Sequence, residues 1–600
     1  MKKCFFSVIG LQDSIREEHT LNKKMALSGA VMAAMLALTA CNSNNNSDAS
    51  TSPSASSSAS ASASSSPSAA AGASFENFPT YGFDLGNTRH VPFTQITADN
   101  ANDLGVVWTA DFKSLDKDVK NGNQSYPVVV DGVIYITTGG NQVFAFEGTT
   151  GKQLWHWKPD AAMLEKISKG GIVANRGVAV GEGKVFMLTT DNQIVALDQK
   201  TGALVKQVAI SDAVEGVTLE NGYYETTAPI YYNGSIYIGS SGGDNGVRGF
   251  VMAYKASDLS PAWDAPFWTV PPKGQDWLKN SKYHGGGAVW NPVAIDEETG
   301  IMYFSVGNPA PDFFGKDRPG ANPYTDSVVA VEAATGKLIW AQQEVSHDEW
   351  DYDAAASPMI MKATVNGKQQ KVVVEGGKSG QWWAWDAATG KVIWDGVPFA
   401  KIDHPVPTEE GVLVYPGTLG GENYAPETYD PATNYVLIPG IEYPALIKKA
   451  KDQDHAFDKS FNGAWAFGTA MGEVPADIVP YGTITAIDVN TGKQVYQNKT
   501  KDMMRGGLTS TDTGLAFYGE LDGKINAMDI KTGKVLWSFQ TAGDNIQAAP
   551  ALFTVDGKEY LTFTSGGNKP KIHVFALGGD KTQGGTGKAD NGNAHSEGGK

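Results

Sequence analysis

The chain has 600 residues, 41% of them hydrophobic, enough to bury a large core. Its 65 acidic residues against 48 lysines and arginines give a formal charge of −17, the wrong sign for a phosphate backbone, so nucleic acid is excluded as a partner. The two cysteines, Cys4 and Cys41, precede the expected folded part, which leaves neither a disulfide framework nor a Cys-x-x-Cys-His haem attachment.

In chain order, the first element is a targeting segment. Lys2, Lys3, Arg16, Lys23 and Lys24 precede an apolar run at 25–38 that is too short to span a membrane comfortably. It ends in Leu38-Thr39-Ala40-Cys41, which reads as a bacterial lipoprotein signal, with an ordinary signal peptide as the alternative. Residues 1–41 are therefore expected to form the lipoprotein signal, cleaved so as to leave Cys41 as the lipidated first residue. The chain would sit in the cell envelope, on the periplasmic or extracellular face, and touch the membrane through that lipid only. Asn42 favours the outer membrane in a Gram-negative cell. Residues 42–74 are Ser, Ala, Asn and Pro, a composition that cannot bury enough apolar surface to order itself and serves as a tether. A Gly-rich tail is expected at 578–600.

Between them, 75–577 repeats. "FAFEGTTGKQLW" ends at Trp155, "VALDQKTGALV" at Val205, "MAYKASDLSPAW" at Trp263, "VAVEAATGKLIW" at Trp340, "WAWDAATGKVIW" at Trp394, "TAIDVNTGKQVY" at Tyr496 and "NAMDIKTGKVLW" at Trp537. Each unit is a β-hairpin, and the pattern is a strand with apolar alternation, an acidic residue, a Thr-Gly-Lys turn whose Gly takes positive φ, and a second strand ending in a large apolar residue; "MAYKASDLSPAW" departs from it in lacking the Gly. "LGVVWTADF" around Trp108 has no such turn, and "IHVFAL" (572–577) has no following Trp. Joined in one blade they close a ring. The expected fold is all-β, an eight-bladed β-propeller closed by its N- and C-terminal strands.

The repeat resembles the tryptophan-docking motif of the PQQ-dependent quinoprotein alcohol dehydrogenases, which are eight-bladed propellers holding pyrroloquinoline quinone (PQQ) and a metal ion near the axis. Four non-repeat stretches carry the resemblance further. "GSSGGDNGVRGF" (239–250) implies Asp244 as a metal ligand, and "SVGNPAP" (305–311) implies Asn308 as another. "GGGAVW" (285–290) implies that Trp290 lies under the quinone. "HDEWDYD" (347–353) implies Asp351 as catalytic base and metal ligand. These oxygen donors suit a hard cation, Ca2+ or a lanthanide ion; Asp353, two residues beyond the base, matches the family's lanthanide pattern. The resemblance further implies PQQ contacts from Gln124, Arg176, Thr226, Ser241, Gly242, Gly243, Asn423 and Arg505. Lys378 would hydrogen-bond the quinone oxygens and share in catalysis. The implied reaction is oxidation of an alcohol or aldehyde by hydride transfer to the quinone, with electrons passing to an external cytochrome or quinone.

The pattern also breaks. Gly170-Gly171 stands where the family has a vicinal cysteine pair, Asp244 and Gln124 replace two glutamates, and Arg505 replaces a pocket tryptophan. These departures keep open a second expectation, a non-catalytic envelope scaffold or binding propeller that has lost PQQ.

Overall fold

The computed structural model describes residues 74–170, 174–271, 277, 284–449, 469–541 and 545–582. The expected leader, nearly all of the tether, most of the tail and Gly171 lie outside the described residues.

Eight sheets, each of four antiparallel strands in the main, follow one another along the chain. Blade 1 is Val128–Val130, Val133–Thr137, Val143–Glu147 and Gln153–Trp157. The next six blades begin at Ala179, Ile230, Ala294, Met359, Thr428 and Leu508. Blade 8 combines both ends of the repeat region. Leu104–Asp111 is the outer strand against Lys571–Leu577, paired from Leu104 opposite Leu577 to Asp111 opposite Lys571 with a register shift between Val106 and Trp108. The ring therefore closes as expected, and closure removes the sheet edges that would template aggregation. Pairing continues past Leu577, since Val106 and Asp580 exchange backbone hydrogen bonds of 2.9 and 2.8 Å.

One expectation needs correcting. The third strand of a blade is not alternately buried: Val143, Phe144, Ala145 and Phe146 are all inside. Neighbouring blades cover both faces of each sheet, so both sets of side chains are core. Only the outer strand, such as Leu204–Ala209, is largely exposed.

The repeated tryptophans lock each blade to the next. The indole N–H of Trp108, Trp155, Trp263, Trp340 and Trp394 donates to a backbone carbonyl near the following blade's turn, at 2.8–3.0 Å. The ring lies on that turn's glycine. At Gly390 φ is +68°, and an added Cβ would meet Cδ2 of Trp340 at 2.6 Å. Gly390→Ala therefore forces both a left-handed alanine and an overpacked indole. A loss of about 2–5 kcal/mol is expected. It is read as a lower denaturation midpoint, and an unchanged midpoint would refute the docking role.

The antiparallel blade also decides where a site can form. The start of the first strand and the end of the second lie at the same end of the sheet. Gln124, Arg176, Thr226, Trp290, Asp351, Asn423 and Arg505 all precede the first strand of a blade; Ser241–Asp244, Asn308 and Lys378 all follow a second strand. Topology thus carries every implied site residue to one face of the ring.

Candidate active site

The four acids of the loop separate by their partners. Asp348 is fully buried and accepts the backbone N–H groups of Trp350 and Tyr352, each at 3.0 Å, so it shapes the turn. Glu349 accepts the N–H of Gly315 at 2.6 Å. Asp351 and Asp353 remain for chemistry, and both meet the Lys378 ammonium, at 2.7 and 2.8 Å. Asp351 has φ +67°, a conformation costly for a residue with a Cβ and maintained only by its surroundings. Burial pushes its carboxyl well above the usual carboxylate range, with Lys378 opposing and Asp353 and Asp244 reinforcing the rise.

Asn308 and Asp244 lie beside this pair. The Asn308 N–H donates to Asp353 Oδ1 at 2.6 Å. Asp244 sits in the Gly243–Asn245 turn, which packs on Gly285–Gly286 and Pro309–Ala310. Burial, and then the charge of Asp353, raise it to about 6. The cation in reach of these acids is Lys378, placed between Asp351 and Asp353 rather than alone in a pocket. Among the described residues, no three acidic or histidine side chains converge as a ready-made metal cage.

The segment 287–290 connects the acids to an aromatic, cationic neighbourhood. Gly287 and Gly307 donate backbone hydrogen bonds to Asn308 and Ala288 at 2.7 and 2.8 Å, which brings Trp290 alongside. Arg176 is 5% exposed, stands 4.8 Å from the Trp290 ring centre and 4.9 Å from that of Tyr424, and donates to Thr226 Oγ1 at 2.6 Å. Thr226 bonds Ser241 at 3.0 Å. Gly242 has φ +95°, as only glycine tolerates easily. Arg505 stands 5.1 Å from the Tyr424 ring centre. Gln124 contacts Gln547 at 3.4 Å, and Gln547 accepts the Tyr424 hydroxyl at 2.9 Å. Asn423 is turned toward its own loop, bonding Leu419 and the Tyr424 N–H.

The donor set fits both expected groups. Neither arginine has a carboxylate partner among the described residues; the Nε of each is buried without an acceptor, and Gln124 Oε1 is buried without a donor. Two unpaired guanidiniums beside a half-buried indole suit a flat polycarboxylate such as PQQ. The carboxylates and Asn308 at the other side suit a hard cation.

Sequence reasoning missed several groups. Tyr424, the hub between both arginines, is the residue after Asn423. Asp312 follows "SVGNPAP" directly; it is fully buried, with neither carboxyl oxygen partnered. Glu344, Glu375, Glu422 and Glu427 cluster at Gly376–Gly377, just before Lys378. Glu344 pairs with Glu375 and Glu422 with Glu427, so each pair needs a shared proton. Burial lifts Glu375 to about 7 and Glu427 to about 8. Nothing in the local sequence pattern marks four separate glutamates as neighbours.

A family model for the glucose/ethanol/alcohol dehydrogenase β-propeller domain of PQQ enzymes matches residues 78–398 and 396–561. The chain belongs to the PQQ-dependent alcohol dehydrogenase family. Among its relatives, quinohemoprotein alcohol dehydrogenase ADH IIB of Pseudomonas putida is 31% identical over 519 residues, 81% of this chain and 73% of that protein. The dehydrogenase subunit of the alcohol dehydrogenase (quinone) of Gluconobacter oxydans is 31% identical over 557 residues, 83% and 71% of the two chains. Of solved structures, the quinohemoprotein alcohol dehydrogenase of Comamonas testosteroni superposes with a TM-score of 0.76 at 27% identity, covering 85% of this chain and 82% of that one. A europium-containing methanol dehydrogenase gives 0.73 at 25% identity, covering 84% and 98%. Membership of the quinoprotein dehydrogenases argues against the scaffold expectation and makes the chain an oxidoreductase.

Proposed function

We propose that this quinoprotein oxidises an alcohol, with Asp351 as the general base, and delivers electrons to an external cytochrome or quinone from a position in the cell envelope. The observation that carries this reading is the meeting, on one face of the ring, of the Asp351–Lys378–Asp353 ion pair with the unpaired guanidiniums of Arg176 and Arg505 around Trp290 and Tyr424.

PQQ held by these residues together with a cation would supply an electrophilic quinone as the hydride acceptor. The chain's own residues do the rest. Arg176 and Arg505 anchor carboxylates, and Trp290 offers a flat face. Asp351 Oδ accepts the hydroxyl proton, and a raised pKa makes it a stronger base once ionised. Ionisation in that buried setting needs positive charge nearby, which Lys378 provides and a cation at Asp244, Asn308, Asp351 and Asp353 would increase.

Asp353 favours a lanthanide, and the likeness to the europium-containing methanol dehydrogenase supports the same choice. The test is reconstitution: purified protein with PQQ and either Ca2+ or La3+, followed by alcohol-dependent dye reduction. Turnover is expected, higher with La3+. Absence of turnover with both ions would remove the reading. Asp353→Ala is expected to weaken La3+-supported turnover by about 10-fold or more while Ca2+-supported turnover changes less; equal losses would remove the lanthanide assignment.

A further inference from the structure

Asp312 has no place in the residue set described so far, yet its surroundings leave it little other use. It is fully buried, and both carboxyl oxygens lack a hydrogen-bond partner. A buried ionised carboxylate in that condition is strongly unfavourable. The nearest buried cation along the chain does not relieve it. Arg318 directs its donors to the carbonyls of Pro311, Asp312 and Asp348 and to the Asn322 side chain, so it binds the Asp312 backbone and leaves the carboxyl alone.

The charges that Asp312 feels are those of Asp244, Asp351, Asp353 and Lys378. The backbone explains why. Asp312 lies four residues after Asn308, just past Pro309–Ala310, and that short strand packs on the Gly243–Asn245 turn carrying Asp244.

We propose that Asp312 is a further oxygen ligand of the cation bound by Asp244, Asn308, Asp351 and Asp353. The inference rests on the metal reading above and extends it to a residue outside the implied ligand set. Asp244 is one methylene shorter than the glutamate of the family pattern, and an additional carboxylate just past the neighbouring strand makes up the lost reach. Asp244, Asp312, Asp351 and Asp353 together with Lys378 carry a formal charge of −3, a match for a trivalent ion.

The experiment uses the full chain with PQQ, titrated with Eu3+ under direct excitation. Emission lifetimes in H2O and D2O report the water molecules on the ion. In Asp312→Asn, Eu3+ affinity should fall ~10-fold or more, and the bound ion should carry more water. The metal-free variant should melt at or above the wild-type temperature, because a neutral amide replaces an unpaired buried carboxyl. Wild-type affinity and hydration in the variant would overturn the assignment. So would a lower metal-free melting temperature with unchanged affinity, which makes Asp312 a structural residue. Wild-type protein that takes up neither Eu3+ nor Ca2+ would instead overturn the metal reading itself, and this inference with it.

Discussion

Asp351→Asn is expected to lower kcat of the PQQ- and metal-loaded protein by about 10^3-fold, the usual scale for removing a positioned general base. Asparagine keeps the size of the side chain and tolerates the positive φ that Asp351 adopts, so the fold should survive. Lys378 retains Asp353 at 2.8 Å and stays charged. Circular dichroism and the melting temperature should therefore match wild type while steady-state turnover collapses. KM should change far less than kcat, because the proton is taken in the transition state. Turnover within a few-fold of wild type would show that another group is the base. If folding and turnover failed together, repeating the measurement with Asp351→Glu would separate the two, since the longer carboxylate keeps a base at the site.

Metal-free protein should lose stability as pH rises from 5 to 8, and the glutamate cluster should be a main cause. Burial lifts the folded-state values of Glu375 and Glu427 to about 7 and about 8, well above the unfolded glutamate value. Between pH 4.5 and 8 the folded chain then binds more protons than the unfolded one, so stability is greatest at the acid end of that window and falls on the way up. Glu375 faces Glu344, Asp353 and the Ala355 and Ala356 N–H groups; Glu427 faces Glu422, Glu375 and Trp382. No salt bridge reaches the four glutamates among the described residues. The change should amount to about 3 kcal/mol or more across the window. It is measurable by urea denaturation in EDTA at several pH values. In Glu375→Gln/Glu427→Gln the slope should be clearly shallower, with the greatest gain in stability at pH 8. An unchanged slope would show that these carboxyls titrate normally. Asp244 and Asp312 also titrate upward, so a residual slope belongs to them.

The two experiments probe different parts of one structural economy. The acids near Lys378 are tolerable because charge compensates them, whereas the pairs behind Gly376–Gly377 are tolerable because protons do. Folding therefore places a cation-dependent group of carboxylates beside a proton-dependent one.

By itself the sequence determined the architecture and selected the residues that the ring gathers on one face. The Thr-Gly-Lys turns and their terminal tryptophans repeat often enough to count blades, because turn and docking contact are local to each hairpin and its neighbour. The orphaned strands at Trp108 and 572–577 implied closure. The quoted motifs selected Asp244, Asn308, Trp290 and Asp351, which the ring does bring to one face. Only the tertiary structure decided what those residues meet. Lys378, expected at the quinone, bridges Asp351 and Asp353. Asp348 and Glu349, indistinguishable from them in "HDEWDYD", turn to backbone N–H groups. Asp312, Tyr424 and the four glutamates became visible only when loops from different parts of the chain converged. The physical reason is that hairpin periodicity is written in contacts close along the chain, whereas burial, partnership and proton affinity depend on which charges distant loops place side by side.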